Sequence, residues 1–203
     1  MSNGDAQGID VSHYQGTVSW PQVKAAGIQF AFAKATEGVT LTDPEFATNW
    51  AGMKAAGILR GAYHFFEPTD DAGQQATFFL STVQLEKGDL PPVLDVETAA
   101  ATSAALWQGV QTWLNQVEAA TGMRPILYLD RTFADENNAP ASLAAYPLWL
   151  AQYEVELPTL PTVWTTWLLW QFSQSGTVNG VAGSVDLDEV NGPIAGLATL
   201  GKA

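Results

Sequence analysis

At 203 residues, with 47% hydrophobic and only 14% charged residues, the chain is long enough for one sizeable core and too apolar for intrinsic disorder. Eight Lys and Arg against 21 Asp and Glu leave a net charge of −13, which disfavours nucleic acid and anionic membrane surfaces because phosphate binding needs clustered cations. The absence of cysteine excludes disulfides and thiolate metal sites, and no apolar run reaches the ~20 residues of a membrane helix.

Along the chain, residues 1–7 read as an N-terminal extension without the basic and apolar regions of a secretory signal, and residues 8–203 as one domain. Gly8–Ser12 reads as the first strand. Lys24-Ala25-Ala26-Gly27-Ile28 then recurs as Lys54-Ala55-Ala56-Gly57-Ile58, thirty positions on. In both copies a helical stretch ends at a glycine suited to the left-handed position past a helix C-terminus, and a short apolar run follows, Ile28–Ala33 and Ile58–Phe65. Thr42-Asp43-Pro44-Glu45 supplies a start signal for the second helix. Helix, glycine, strand is the repeating step of a β/α architecture.

Val93–Glu97 is the fourth strand, entered through Pro91-Pro92. Leu106, Val110, Trp113, Leu114 and Val117 fall at helical spacing between Thr102 and Thr121, and Gly122 closes that helix. Ile126–Leu129, Leu148–Gln152, Trp167–Phe172 and Ser184–Leu187 complete eight strands, while the segment at 156–166, with Pro158 and Pro161, does not look helical. The expected fold is therefore α/β: an irregular TIM-like β/α barrel with eight strands and fewer than eight helices.

Polar and mostly acidic groups follow these apolar runs: Asp10, Lys34 to Glu37, His64 to Glu67, Asp95 and Glu97, Asp130, Gln152, Gln171, and Asp186 with Asp188. In β/α barrels the carboxyl ends of the strands carry the active site, so this regularity predicts a catalytic mouth. Asp95 and Glu97, two apart on one strand, point to the same face with Cα atoms about 6.5–7 Å apart. Two carboxylates in a confined pocket cannot ionise equally, and glycoside hydrolysis uses that inequality. An acid-x-acid triplet alone is common; its apolar approach and the other strand-end acids make it a site candidate. The two histidines, His13 and His64, raise a rival reading, a metal-dependent hydrolase (deacetylase or amidase) built with Asp10, Asp95 and Asp186, though neither stands in a compact ligand spacing. A non-catalytic sugar-binding protein is a third reading, against which the paired acids argue. No phosphate-binding glycine loop and no GxSxG elbow occurs. The eight Trp are read mainly as packing, with sugar stacking as the functional alternative.

Taken in order, Gly8-Ile9-Asp10-Val11-Ser12 with Gln15, Phe32–Gly38, Gly61-Ala62-Tyr63-His64-Phe65, Leu94-Asp95-Val96-Glu97, Pro125–Tyr128, Leu148–Tyr153, Trp170-Gln171-Phe172 and Val185–Asp188 resemble glycoside hydrolase family 25, the Chalaropsis-type lysozymes. The resemblance spans about residues 8 to 192. It implies a flattened eight-stranded barrel that cleaves the β-1,4 bond between N-acetylmuramic acid and N-acetylglucosamine in peptidoglycan, with no metal and no cofactor. Carried over by position, Glu97 is the general acid, Asp95 its neighbouring carboxylate, and Asp10 and Asp186 supporting acids. Tyr63, Tyr128, Trp149, Gln152 and Gln171 contact the sugars. Glu37 is either a substrate contact or a bridge to Lys34. The expected partner is the peptidoglycan glycan strand, met by a monomer outside the cell or directed at the wall. Within these residues no wall-binding repeat is expected beside the domain, and −13 is a poor charge for approaching anionic wall polymers.

Overall fold

The computed structural model describes residues 7–203, so residues 1–6 of the expected extension lie outside the described residues and Gln7 opens the first strand. Nine strands form one sheet: β1 Gln7–Val11, β2 Phe30–Glu37, β3 Leu41–Thr42, β4 Leu59–Phe65, β5 Val93–Asp95, β6 Ile126–Asp130, β7 Leu148–Ala151, β8 Leu169–Gly176 and β9 Val185–Val190. Eight of them close into a barrel because β1 pairs with both β2 and β9, while β3 is an antiparallel flap on the end of β2. Six α-helices accompany the described strands: α1 Trp20–Ala25, α2 Phe46–Ala55, α3 Ala72–Thr82, α4 Ser103–Thr121, α5 Arg131–Glu136 and α6 Ile194–Ala198. No helix separates β7 from β8 or β8 from β9, which makes the barrel irregular.

The repeated Lys-Ala-Ala-Gly-Ile segments end α1 and α2 in the same way. Gly27 (φ +96°) and Gly57 (φ +67°) take the left-handed turn that a side chain would strain. Ile58 N–H donates to the Met53 carbonyl at 3.0 Å and Gly57 N–H to Lys54 at 3.1 Å; Ile28 and Gly27 repeat the pattern on Val23 and Lys24. These are Schellman closures, each sealed by a buried apolar pair, Met53 with Ile58 and Val23 with Ile28. Helix α2 begins later than its start signal. Thr42 belongs to the flap, and the Asp43 carboxylate accepts from Glu45 N–H and from His13 instead of capping the helix. On α4 all five periodic residues, Leu106, Val110, Trp113, Leu114 and Val117, are buried against the barrel.

Alternation along the strands makes two apolar layers. Outward-facing Ile9, Ala31, Ala33, Ala62, Leu94, Leu127 and Leu150 meet the helices. Inward-facing Phe30, Phe32, Val93, Ile126, Trp149, Leu169 and Val190 fill the lower barrel, over a base that includes Leu90 and Leu197. Glycines on the neighbouring strands make room for the two phenylalanines: a Cβ at Gly8 would lie 2.2 Å from the Phe30 ring, and one at Gly61 2.2 Å from Phe32. The barrel is thus solid below and polar above.

Three expectations need correction. β5 ends at Asp95, so Glu97 stands just beyond the strand rather than on it; Val96 N–H still reaches the Tyr128 carbonyl before the chain leaves the sheet. β2 runs on to Glu37: alternation carries Lys34 inward above Phe30 and Phe32, and a register shift between Lys34 and Thr36 then turns Thr36 outward to His64. β9 is antiparallel to both neighbours, so Asp186 reaches the mouth from the amino end of its strand, opposite Asp10.

Candidate active site

A cleft of about 190 Å³ opens at the polar end of the barrel. Asp10, Tyr63, Asp95, Glu97, Tyr128, Trp149, Gln171 and Asp186 line it, so eight of the ten residues singled out from the sequence converge. Glu37 and Gln152 are not among the lining residues. Glu37 pairs with Lys34 at 2.5 Å, and Gln152 accepts from Thr159 N–H at 2.7 Å, closing the loop after β7. Of the eight tryptophans only Trp149 lines the cleft.

Asp10 on β1 is buried, and its Oδ2 accepts from Gln171 Nε2 at 2.7 Å. Gln171 is itself oriented, because its Oε1 accepts from the hydroxyls of Tyr128 at 2.9 Å and Tyr153 at 2.5 Å. The amide oxygen is thereby occupied, and the amide N–H is left to meet the carboxylate. Beneath it, Asp188 is fully buried; one oxygen accepts from Trp149 Nε1 at 2.9 Å, and apart from the neighbouring Asp10 carboxyl the other meets no donor.

Burial is the first cause of the raised proton affinity of every acid here. Asp10 is pushed well above the usual carboxylate range by burial and then by the charges of Asp188 and Asp186; the Gln171 hydrogen bond opposes. Asp95 is held well up by burial and next by Glu97, while Lys34 pulls it down. Its Oδ1 is buried without a hydrogen-bond partner. Glu97 is exposed at the lip, yet enough protein surrounds its carboxyl to raise it, against the neighbouring Tyr128 hydroxyl and Lys34. Asp186 is raised by burial, opposed by Asp10. Lys34 is the one cation among the residues lining the cleft, lying over the Phe65 ring at 4.7 Å from its centroid. An acid pair that differs in burial, beside one lysine and hydroxyl groups, can divide proton donation from charge stabilisation.

The histidines stand apart from the acids. His13 Nδ1 bonds Asp43 at 2.8 Å. His64 lies outside the barrel wall between Thr36 (2.7 Å) and Gln75 (3.0 Å), its ring stacked on Trp113. Burial lowers its pKa to about 4 and keeps it neutral. Among the described residues no three His, Cys, Asp or Glu side chains are grouped to hold a metal ion.

Ser12, Tyr14, Gln15, Lys34, Phe65 and Val93 also line the cleft without having been assigned a role from the sequence. The Ser12–Gln15 spacing carried a signal: it is a capping box, and it builds the tight turn of residues 13–15 that presents Tyr14, 82% exposed, at the rim. Asp188 had been read among the strand-end acids and Tyr153 within the Leu148–Tyr153 match, but neither had been given a role.

The family model for glycosyl hydrolases family 25 matches residues 9–181. Lysozyme M1 of Streptomyces globisporus is 38% identical over 209 residues, covering 96% of this chain and 70% of that protein. The uncharacterized protein YegX of Escherichia coli K12 is 42% identical, covering 92% of this chain and 70% of its own length. The crystal structure of the bacterial lysozyme from Streptomyces coelicolor superposes with a TM-score of 0.93 at 35% identity, covering 100% of this chain and 99% of that one.

Proposed function

This chain belongs to glycosyl hydrolase family 25 and is a glycoside hydrolase of the muramidase type, a premise from which we propose that it cleaves the β-1,4 bond between N-acetylmuramic acid and N-acetylglucosamine in peptidoglycan. The observation that carries the reading is the meeting, in a single cleft, of an exposed Glu97 and a buried Asp95, two carboxyls that burial raises together and that compete for protons.

Glu97 is the general acid. At the lip it can reach a glycosidic oxygen, and a sugar seated over it would exclude water and hold its proton more firmly still. Since the two carboxyls interact, the protons leave in steps that belong to the pair. Asp95 is fixed lower down with an unpartnered oxygen, suited to accept an N–H from the 2-acetamido group as that group attacks the anomeric carbon. The leaving oxygen takes the Glu97 proton, an oxazolinium forms, and water activated by Glu97 opens it with net retention. Asp10, held by Gln171, and Asp186 support the charge that develops above them; Tyr63, Tyr128 and Trp149 shape the sugar seat. The deciding experiment is digestion of purified peptidoglycan with mass spectrometry of the new reducing ends. Muramic acid there supports the reading, and glucosamine would replace it with a glucosaminidase.

A further inference from the structure

The Lys-Ala-Ala-Gly-Ile repeat has a consequence the cleft does not use. It places Lys24 and Lys54 in the last turns of α1 and α2, at the base of the barrel, opposite the acids. A groove there is lined by Lys54, Arg60 and Lys87 with one carboxylate, Asp89. Lys24 Nζ reaches the Gly57 carbonyl of the same groove at 2.9 Å. Lys202 is tied to it through Gly88 N–H on its carbonyl and its own N–H on Asp89, both at 2.8 Å. Five of the chain's eight Lys and Arg therefore meet on one face of a protein whose net charge is −13.

Two carboxylates answer them in part: Asp89 is consumed by a two-point ion pair with Arg60, and Glu86 pairs with Lys54. Lys87 is exposed with no partner among the described residues, and Lys24 keeps two ammonium hydrogens for outside acceptors. Helix-dipole compensation explains a lysine at each helix end, but neither Lys87 nor Lys202 lies on one of those helices. From Arg60 to Phe65 the strand β4 rises about 16 Å, twice the ~8 Å screening length of physiological salt, so an anion at the base feels the lysines and not the cleft acids.

We infer that this basal face binds a linear phosphodiester polyanion of the cell-wall matrix, docking the enzyme while the acidic cleft faces away toward glycan. The choice of a wall polymer rests on the muramidase reading; the cation cluster does not.

The test is binding to immobilised poly(glycerol phosphate) across a salt titration, with cleavage of a soluble, uncharged peptidoglycan oligosaccharide measured in parallel. The wild-type chain should bind, and the triple variant Lys24→Gln/Lys54→Gln/Lys87→Gln should lose about tenfold or more in affinity and show a flatter salt dependence. Its oligosaccharide cleavage should not change. Arg124→Gln/Arg131→Gln, which removes cations elsewhere, should bind as wild type. No wild-type binding, or equal losses in both variants, overturns the proposal. Competition by duplex DNA as effective as by the polymer itself overturns the wall assignment. Binding by Glu97→Gln at wild-type strength, where cleavage is lost, keeps this result separate from the fate of the muramidase reading.

Discussion

Replacing Asp188 by Asn should make the protein more stable at neutral pH, a gain that tests how the barrel holds its acids. Asp188 is fully buried, faces Asp10 and Asp186, and has one oxygen with no N–H donor and only the Asp10 carboxyl beside it. Its proton affinity is raised well above the usual range by burial and then by Asp186. A carboxyl raised in this direction favours the native state fully below its unfolded pKa of about 3.9 and loses that contribution as pH climbs through the folded value. At pH 7 the native state therefore carries a cost that unfolding relieves. Asn keeps the shape, keeps an oxygen for Trp149 Nε1, and offers an N–H to the neighbouring carboxylates.

Leaving a buried polar group unpaired costs about 1–3 kcal/mol, and removing the charge should recover an amount of that order. For a chain of this length that is about 2–4 °C in Tm per kcal/mol. Urea unfolding at neutral pH and again at about pH 3 is the assay, since below the unfolded pKa both side chains are neutral and the advantage should vanish. A variant less stable than wild type at neutral pH, or equally stabilised at both, would refute the reasoning.

Glu97→Gln keeps the shape of the proposed general acid but cannot donate a proton, so turnover should fall about 10²–10⁴-fold with Tm held or raised; a smaller loss moves the acid elsewhere. Asp95→Asn should lower kcat more than it raises KM, and a substrate with free amine in place of the acetamido group should resist cleavage; cleavage of that substrate at a comparable rate would remove the acetamido group from the reaction. Gly61→Ala drives a Cβ against the Phe32 ring and should cost about 1–3 kcal/mol by urea unfolding, with part recovered by adding Phe32→Leu. Exhaustive chelation should leave the rate unchanged, given where His13 and His64 are engaged; loss restored by a divalent ion would revive the metal-dependent reading.

Legibility in the sequence followed the range of each signal. The helix ends at Gly27, Gly57 and Gly122 were readable because positive φ is a local demand, and all three have it. The buried face of α4 was readable because its period of 3.6 is local too. The direction of β9 was not, since apolar alternation is identical in a parallel and an antiparallel strand; only the short β8–β9 connection hinted at it. The shift that turns Thr36 outward depends on what β4 offers across the sheet, which no local pattern records. Glu37 and Gln152 were drawn toward the site by the family resemblance, and nearby partners hold them outside the cleft lining: Lys34, the bridge already weighed as the alternative for Glu37, and the Thr159 backbone.

The same architecture explains why the acids sit where they do. Strand alternation that sends Asp10, Asp95 and Asp188 inward also sends Phe30, Phe32, Trp149 and Leu169 inward, one or two layers below. Water can reach the carboxyls only from the open end, so burial raises each of them before any neighbouring charge is counted. Charges gathered on mobile loops would be solvated separately and would titrate like free carboxylates. Held on strands above an apolar floor they compete for protons, and Glu97, two residues past the end of β5 and exposed at the lip, is the member of the set we propose to exchange its proton with a substrate.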